Sequence, residues 1–281
     1  MTDIPIVGVI GDPISHSKSP LIHNRWLKQN SIKGLYLRFE VKGKDLQQFI
    51  KDSLELGFRG FNVTIPHKET VVSIVDDLSA AARDCGAINT IVRREDGSFF
   101  GDNTDGFGFI ENLSELISRD DLVGASVALL GAGGASRAVA VALRDAGVRQ
   151  IRICNRTTLK AEALCTVLGD VASVWPWPAT EEFFAGADLI VNSTSLGMAG
   201  QPAFDLPIPR LEPNTVATDL IYAPLETPFL NAARASGART KDGLGMLLHQ
   251  ARPGFKAWFG IDPVVSAELR QAVLTGEGLY P

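Results

Sequence analysis

The chain has 281 residues, of which 45% are apolar and 21% are charged, and its formal net charge is −5. This composition is typical of a globular protein with a sizeable core, and it argues against a disordered chain. The negative net charge disfavours non-specific binding to nucleic acid. At ~150 residues per domain, the length predicts about two domains.

Neither a metal site nor a disulfide framework is expected. The three cysteines form no CxxC pair, and the four histidines show no ligand spacing such as HExxH. The amino terminus lacks the basic and apolar regions of a signal peptide, and no apolar run approaches the ~20 residues that span a bilayer. We therefore expect a cytoplasmic protein that binds no metal.

The first hundred residues predict alternating strands and helices. The expected strands are 6–10, 35–41, 61–65, 87–93 and 98–101. Helices are expected to begin at Ser19-Pro20, at residue 44 and at Pro66, since Ser caps helices and Pro fits the first helical turn.

A second unit begins near residue 107. Its expected strands are 127–130, 151–154, 188–192 and 216–221, and its expected helices are 134–146 and 158–168. Two more helices, 243–259 and 262–274, end the chain. The alternation of strand and helix predicts a parallel sheet with helices on both faces.

A glycine-rich loop joins the strand 127–130 to the next helix. It contains Gly131, Ala132, Gly133, Gly134 and Ala135, and Ser136 occupies the third fingerprint position, where Gly or Ala is usual. Glycines permit the tight turn and the close approach of a pyrophosphate, which the helix N-terminus attracts. The context predicts a dinucleotide site, whereas a lone GxGxxG would be weak.

The loop after the next strand selects the cofactor. It contains Asn155, Arg156 and Thr157, with Lys160 one turn later and no acidic residue. An NAD-specific fold usually places Asp or Glu there, whereas Arg and Lys suit a 2′-phosphate. The pattern therefore favours NADP over NAD.

Small polar residues cluster in the N-terminal half, at predicted strand ends. They lie in the segments 17–20, 62–68, 87–90 and 101–106. Because ligands of open α/β sheets bind outside the carboxyl ends of strands, these segments could converge on a polyhydroxylated carboxylic acid. Taken singly, each is also compatible with a helix cap, a polar turn or a solvated lysine.

Together these segments resemble the shikimate dehydrogenase family over nearly the whole chain. The motifs, in order, are Ser15-His16-Ser17-Lys18-Ser19-Pro20, Asn62-Val63-Thr64-Ile65-Pro66-His67-Lys68, Gly86-Ala87-Ile88-Asn89-Thr90, Gly101-Asp102-Asn103-Thr104-Asp105-Gly106, the two cofactor segments, and Asp242-Gly243-Leu244-Gly245-Met246-Leu247-Leu248-His249-Gln250. The resemblance implies an NADP-dependent oxidoreductase acting on a CH–OH group, which reversibly reduces 3-dehydroshikimate to shikimate, a step of aromatic amino-acid biosynthesis.

The resemblance also implies residue roles. Lys68 and Asp105 would form the catalytic pair, and Leu220 and Gly243 would flank the nicotinamide. The residues that would bind substrate are Ser17, Ser19, Thr64, Lys68, Asn89, Asp105, Tyr222 and Gln250. We expect Lys68 to act as a charged donor that stabilises the developing alkoxide.

The resemblance further implies two α/β domains, the first of them discontinuous. Residues 1–104 with 243–281 would form a substrate domain with a mixed sheet, and 105–242 a Rossmann-like, doubly wound NADP-binding domain. A monomer or a homodimer is expected.

Three alternatives compete with this interpretation. A quinate/shikimate dehydrogenase using NAD or NADP is disfavoured by Ser19 and by Asn155-Arg156-Thr157. Another NADPH reductase, such as glutamyl-tRNA reductase, would leave Lys68 and Asp105 unexplained. A non-catalytic ligand-binding regulator on the same fold would lack one of these two residues, and both are present.

Overall fold

The computed structural model describes residues 4–276, which divide between two compact units. The first unit holds the chain up to Thr104 and again from Leu248 onward, and the second holds Asp105–Leu247. The domain boundaries predicted above stay a prediction. The units differ from them in one respect, because residues 243–247 lie in the second unit.

The strands of the described chain are β1 (Ile6–Gly11), β2 (Leu35–Glu40), β3 (Gly60–Val63), β4 (Asp77–Leu78), β5 (Thr90–Arg93), β6 (Phe99–Asp102), β7 (Ser126–Leu130), β8 (Gln150–Cys154), β9 (Ala172–Trp175), β10 (Leu189–Asn192), β11 (Val216–Asp219) and β12 (Arg239–Lys241).

The α-helices are α1 (Ser19–Gln29), α2 (Leu46–Glu55), α3 (Ala80–Cys85), α4 (Asp105–Ser114), α5 (Gly134–Asp145), α6 (Thr158–Leu168), α7 (Glu181–Phe184), α8 (Pro228–Ala235), α9 (Leu244–His249), α10 (Ala251–Phe259) and α11 (Ala267–Thr275). Within residues 4–276, none of the helices combines the length and apolarity that crossing a membrane requires.

The first unit is built on a mixed sheet in the order β2-β1-β3-β5-β6-β4. β1 pairs in parallel with β2 and β3, whereas β5 is antiparallel to both β3 and β6. The carboxyl ends of β1, β3 and β6 and the amino end of β5 therefore meet at one edge of the sheet. A cluster that includes Ile10, Leu46, Ile50, Phe61 and Ile91 forms the core on one face.

The second unit is built on a parallel sheet in the order β12-β11-β10-β7-β8-β9. All residues of β7 and β10 are buried, as expected for parallel strands covered on both faces. The strand order reverses at β7, which lies between β8 and β10. Ligands of doubly wound sheets bind at such a switch point. The predicted fold class, with one mixed sheet and one doubly wound parallel sheet, is confirmed.

Several predicted elements need correction. No α-helix begins at Pro66, where a turn leads to a short 3-10 helix at Thr70–Ser73. The predicted helix 243–259 is two helices, α9 and α10, and Gln250 lies between them. Ser19 is the first residue of α1 and not its cap, since Lys18 occupies that position. The bounds predicted for α6 are correct.

Candidate active site

The glycine loop of the second unit directly follows β7. Gly131 has φ +107°, and a Cβ there would lie 2.5 Å from Ser193 Oγ, so only glycine fits without strain. A Cβ at Gly133 or Gly134 would meet no atom within 4 Å. The backbone at the start of α5 is therefore open to a ligand, as a pyrophosphate requires.

Ser136 ties this loop to the segment after β10. Its Oγ accepts a hydrogen bond from Gly133 N at 3.0 Å and lies 2.7 Å from Ser193 Oγ. Ser193 Oγ donates to Leu130 O at 2.5 Å, so the hydroxyl of Ser136 must donate to that of Ser193. The departure of Ser136 from the usual fingerprint thus has a physical role. Its hydroxyl holds the loop through two hydrogen bonds, which a glycine at this position could not form.

Asn155, which follows β8, ties the glycine loop to the next one. Its Oδ1 accepts from Ala132 N at 3.2 Å, and its Nδ2 donates to Thr157 O at 2.8 Å. Arg156 and Lys160 are exposed, and neither forms an ion pair with any described residue. The first turn of α6 has no acidic residue. Basic groups at a positive helix end are unfavourable unless an anion binds there.

These segments line a pocket of about 340 Å³ at the switch point of the sheet. Its walls include Gly131–Gly133, Asn155–Thr157 with Lys160, Trp177, and the segment 193–196. The volume is in the range of small-molecule sites. Exposed cations beside an open glycine loop fit the phosphates of NADP. The segment 155–157 has no Asp or Glu, which would repel a 2′-phosphate.

The residues predicted to flank the nicotinamide lie together in the second unit. Gly243 N donates to Ile221 O at 3.2 Å, and a Cβ at Gly243 would overlap the carbonyl group of Leu220. Tyr222, two residues after Leu220 in the chain, is 38% exposed. Asp105 is buried as the first residue of α4, at the positive end of that helix.

Lys68 and Thr64 belong to the first unit, in the turn after β3. Thr64 N donates to Ile10 O at 3.0 Å, which places Thr64 beside the end of β1. Ile88 N donates to Lys68 O at 2.8 Å, so the backbone of Lys68 is held next to that of Asn89. Lys68 is half-buried.

Asn89 and Gln250 meet although 161 positions separate them. Asn89 Nδ2 donates to Gln250 Oε1 at 3.3 Å. Thr104 Oγ1 lies 2.7 Å from Gln250 O, to which it donates, and it lies 3.1 Å from Asn89 Oδ1. The break between α9 and α10 therefore delivers Gln250 to the edge of the sheet where β5 begins.

Ser17 and Ser19 lie beside each other, Ser17 just before α1 and Ser19 as the first residue of that helix. Ser19 N donates to Ser17 Oγ at 3.3 Å, and Arg38 Nη2 donates to Ser17 O at 2.7 Å. Ser19 forms no cap for α1, so the simple explanation of this serine as a helix cap does not apply.

A buried polar network not predicted above supports this edge from beneath. Tyr36 Oη donates to Asn62 Oδ1 at 2.6 Å, and Asn62 Nδ2 donates to Asn89 O at 3.1 Å. His23 stacks on Tyr36 with ring centroids 4.1 Å apart. Burial lowers the pKa of His23 to about 3, so its ring is neutral at pH 7.

The sequence did not identify several residues that line or support the candidate sites. Asn62 and Thr104 lie inside motifs noted in the sequence, and Ser136 was noted only as a departure from the glycine fingerprint, but Ser193 and Trp177 carried no motif signal. Position directly after a buried parallel strand was the available clue for Ser193. In the described part of the chain, no group of three or more His, Cys, Asp or Glu side chains is arranged to hold a metal ion.

Comparison with known families gives two matches. Residues 9–91 match the family described as shikimate dehydrogenase substrate binding domain, and residues 113–198 match the family described as shikimate / quinate 5-dehydrogenase. A curated protein from Cereibacter sphaeroides (strain ATCC 17029 / ATH 2.4.9), named shikimate dehydrogenase (NADP(+)), is 46% identical over 274 residues, which cover 98% of each chain.

Two solved structures are similar over almost the whole fold. The ligand-free 5-ketofructose reductase of Gluconobacter sp. strain CHM43 has a TM-score of 0.90 at 32% identity, covering 98% of this chain and 99% of that one. The shikimate 5-dehydrogenase from Thermus thermophilus, in complex with NADP(H) and shikimate, has a TM-score of 0.83 at 35% identity, covering 97% and 99%.

Proposed function

Because the chain belongs to the shikimate dehydrogenase family, we propose that it catalyses the reversible, NADP-dependent reduction of 3-dehydroshikimate to shikimate. The curated relative's name, shikimate dehydrogenase (NADP(+)), agrees with the activity and cofactor predicted from the sequence. The proposal includes a cytoplasmic location and a monomer or homodimer.

One observation carries the substrate assignment. Asn89 and Gln250, both expected to bind substrate, meet at 3.3 Å at the sheet edge that also holds Thr64 and Lys68. Amide and hydroxyl groups at one edge supply donors and acceptors for several hydroxyls at once. Ser17 and Ser19 would hold the substrate carboxylate, with help from Tyr222.

The cofactor assignment rests on the second unit. Gly134 and Ala135, at the start of α5, would face the pyrophosphate with the rest of the glycine loop, and Arg156 and Lys160 would hold the 2′-phosphate. Leu220 and Gly243 would flank the nicotinamide ring.

When bound, the nicotinamide supplies a hydride for reduction or accepts one for oxidation. Lys68 would stabilise the oxygen of the reacting carbonyl by donating a hydrogen bond, and would pass a proton to it as the negative charge develops. Asp105, the other member of the implied catalytic pair, would bind a neighbouring hydroxyl. Orientation of the ring by Asn89, Gln250 and Thr64 would supply much of the remaining rate acceleration.

A four-way assay tests this function. The purified protein is given shikimate or quinate, each with NADP⁺ or NAD⁺, and reduction of the cofactor is followed by absorbance. We expect the highest kcat/KM with shikimate and NADP⁺. Activity with NAD⁺ alone would overturn the cofactor assignment, activity with quinate alone would overturn the substrate, and no activity with any pair would favour a non-catalytic regulator.

A further inference from the structure

Asp219, the last residue of β11, is a fully buried carboxylate. Among the described residues it forms no ion pair with any Lys, Arg or His. Burial raises its pKa, partly offset by hydrogen bonds from Thr227, Ile221 and Asn192. A buried charge without a counter-ion is costly, so a residue serving stability alone would more often be apolar or neutral.

The hydrogen-bond donors that contact this carboxylate come from different segments. Asn192 Nδ2 lies 3.2 Å from each carboxylate oxygen, and Asn192 ends β10. Ile221 N donates at 3.0 Å, from the segment that follows β11. Thr227 Oγ1 donates at 2.6 Å, and the same oxygen caps α8 by accepting from Leu230 N. Asp219 therefore joins the ends of two neighbouring strands to the start of a helix.

The segment after β10 is fixed through Asn192. Its Oδ1 accepts from Thr194 N at 3.1 Å and from Thr194 Oγ1 at 2.7 Å, and its Nδ2 also donates to Leu196 O at 3.3 Å. The amide orientation is thereby determined, with Nδ2 facing Asp219. Thr194 and Leu196 line the cofactor pocket.

The segment after β11 is fixed by the same carboxylate. Ile221 N donates to Asp219, Leu220 N donates to Asn192 O at 2.9 Å, and Ile221 O accepts from Gly243 N. Leu220, Gly243 and Tyr222 are the residues proposed above for the nicotinamide and the substrate carboxylate.

We propose that Asp219 is a positioning residue for hydride transfer: its carboxylate fixes the segments 193–196 and 220–222 so that Leu220 and Tyr222 stand where the nicotinamide and the substrate bind. This inference rests on the proposed roles of Leu220 and Tyr222. A carboxylate is required because it accepts at both oxygens, whereas an amide would turn an NH₂ group toward Asn192 Nδ2.

The test uses Asp219→Asn, the exchanged pair Asn192→Asp with Asp219→Asn, and two probes of the cofactor site. NADPH reports the whole site, and adenosine 2′,5′-bisphosphate reports the half that Arg156 and Lys160 would bind. For Asp219→Asn we expect the Kd for NADPH to rise about tenfold and kcat with shikimate to fall about as much, while the Kd for the bisphosphate stays within about twofold. The exchanged pair restores a donor facing an acceptor between positions 192 and 219 but loses the bond to Leu196 O, so it should recover part of both losses.

Thr215→Val is the matched control. Thr215 is buried directly before β11, the strand that ends at Asp219, and it donates to Ala187 O at 3.2 Å. It should lower the melting temperature without changing kcat. If Asp219→Asn does not fold, Thr227→Val removes one donor and should give a smaller change of the same kind.

Three outcomes would overturn the inference: an unchanged NADPH Kd and kcat in Asp219→Asn, equal losses of affinity for both probes, or no recovery in a folded exchanged pair. A wild-type protein that binds NADPH but does not oxidise shikimate would overturn the proposed function instead, and the comparison of the two probes would still decide the role of Asp219.

Discussion

Thr104 N donates a hydrogen bond to Asn89 Oδ1 at 2.9 Å, and this bond decides which way the Asn89 amide points. Since Oδ1 faces the backbone, Nδ2 faces Gln250. The sequence named Asn89 as a candidate, but it did not indicate which end of the amide a ligand would meet. The structure makes position 89 a donor toward the edge of the sheet.

Asn89→Asp should therefore impair substrate binding without disturbing the backbone. The new carboxylate can still accept from Thr104 N, but it loses the donor that faces Gln250. Loss of one such hydrogen bond, with its partner left unpaired, costs about 1–3 kcal/mol, or roughly 5- to 150-fold in kcat/KM for shikimate. Steady-state kinetics measure this, with the KM for NADP⁺ unchanged. Asn30→Asp, at the exposed end of α1, is the control, and an unaltered kcat/KM at position 89 would contradict the assignment.

Arg156→Ala and Lys160→Ala should weaken the preference for NADP over NAD. A charge-assisted hydrogen bond to a phosphate contributes about 1.5–3 kcal/mol, so the KM for NADP⁺ should rise roughly 10- to 100-fold for Arg156→Ala. The effect of Lys160→Ala should be smaller, since lysine offers a single point charge. The KM for NAD⁺ should change little. Arg149→Ala, at the other end of β8, is the control, and equal effects on both cofactors would rule out 2′-phosphate recognition.

Lys68→Ala should lower kcat far more than it raises the KM for shikimate. A positioned proton donor contributes on the order of 10²–10⁴-fold to the rate. Single-turnover experiments with saturating NADP⁺ and shikimate measure the chemical step directly. A raised KM with intact kcat would mean that Lys68 only binds substrate.

Ser136→Ala should destabilise the second unit. Its Oγ accepts from Gly133 N and donates to Ser193 Oγ, and the loss of a helix-capping bond costs about 1 kcal/mol. Urea unfolding measures the change. Ser114→Ala removes a hydroxyl that only donates to Ile110 O within its own helix, so its effect should be smaller. Equal stabilities of the Ser136→Ala variant and the wild type would show that the hydroxyl relay does not hold the loop.

His23 should make the protein sensitive to acid. Because the pKa in the folded state is about 3 and that of an exposed histidine is near 6.5, only the unfolded chain takes up this proton between those values. Stability from this group is complete above pH 6.5 and is lost as the pH falls, by about 1 kcal/mol per pH unit.

His23→Phe keeps the stacking on Tyr36 and removes the titration. Urea unfolding at pH 7 and pH 5 should show a smaller loss of stability for His23→Phe than for the wild type. His16→Gln, at an exposed position, is the control and should behave like the wild type. An identical pH dependence in His23→Phe and the wild type would show that His23 is not the group responsible.

Local patterns in the sequence predicted much of the fold. Buried runs such as β7 are local signals, and the prediction for α6 was correct at both ends. The helix predicted at Pro66 was wrong, because a proline at a possible helix start is equally suited to a turn. The break at Gln250 was missed because apolar periodicity continues across it, while tertiary contacts such as Thr104 Oγ1 to Gln250 O act at that point.

The sequence by itself determined the fold class, the cofactor type and most candidate residues, since strand patterning, a glycine loop and a basic pair without an acid are all visible within short segments. Only the tertiary structure decided which of these groups meet, and which of them donates and which accepts in each hydrogen bond. Asn89 reaches Gln250, Ser136 donates to Ser193, and Asp219 gathers donors from Asn192, Ile221 and Thr227. Such pairings depend on strand order and on the direction of each hydrogen bond, which sequence spacing does not encode.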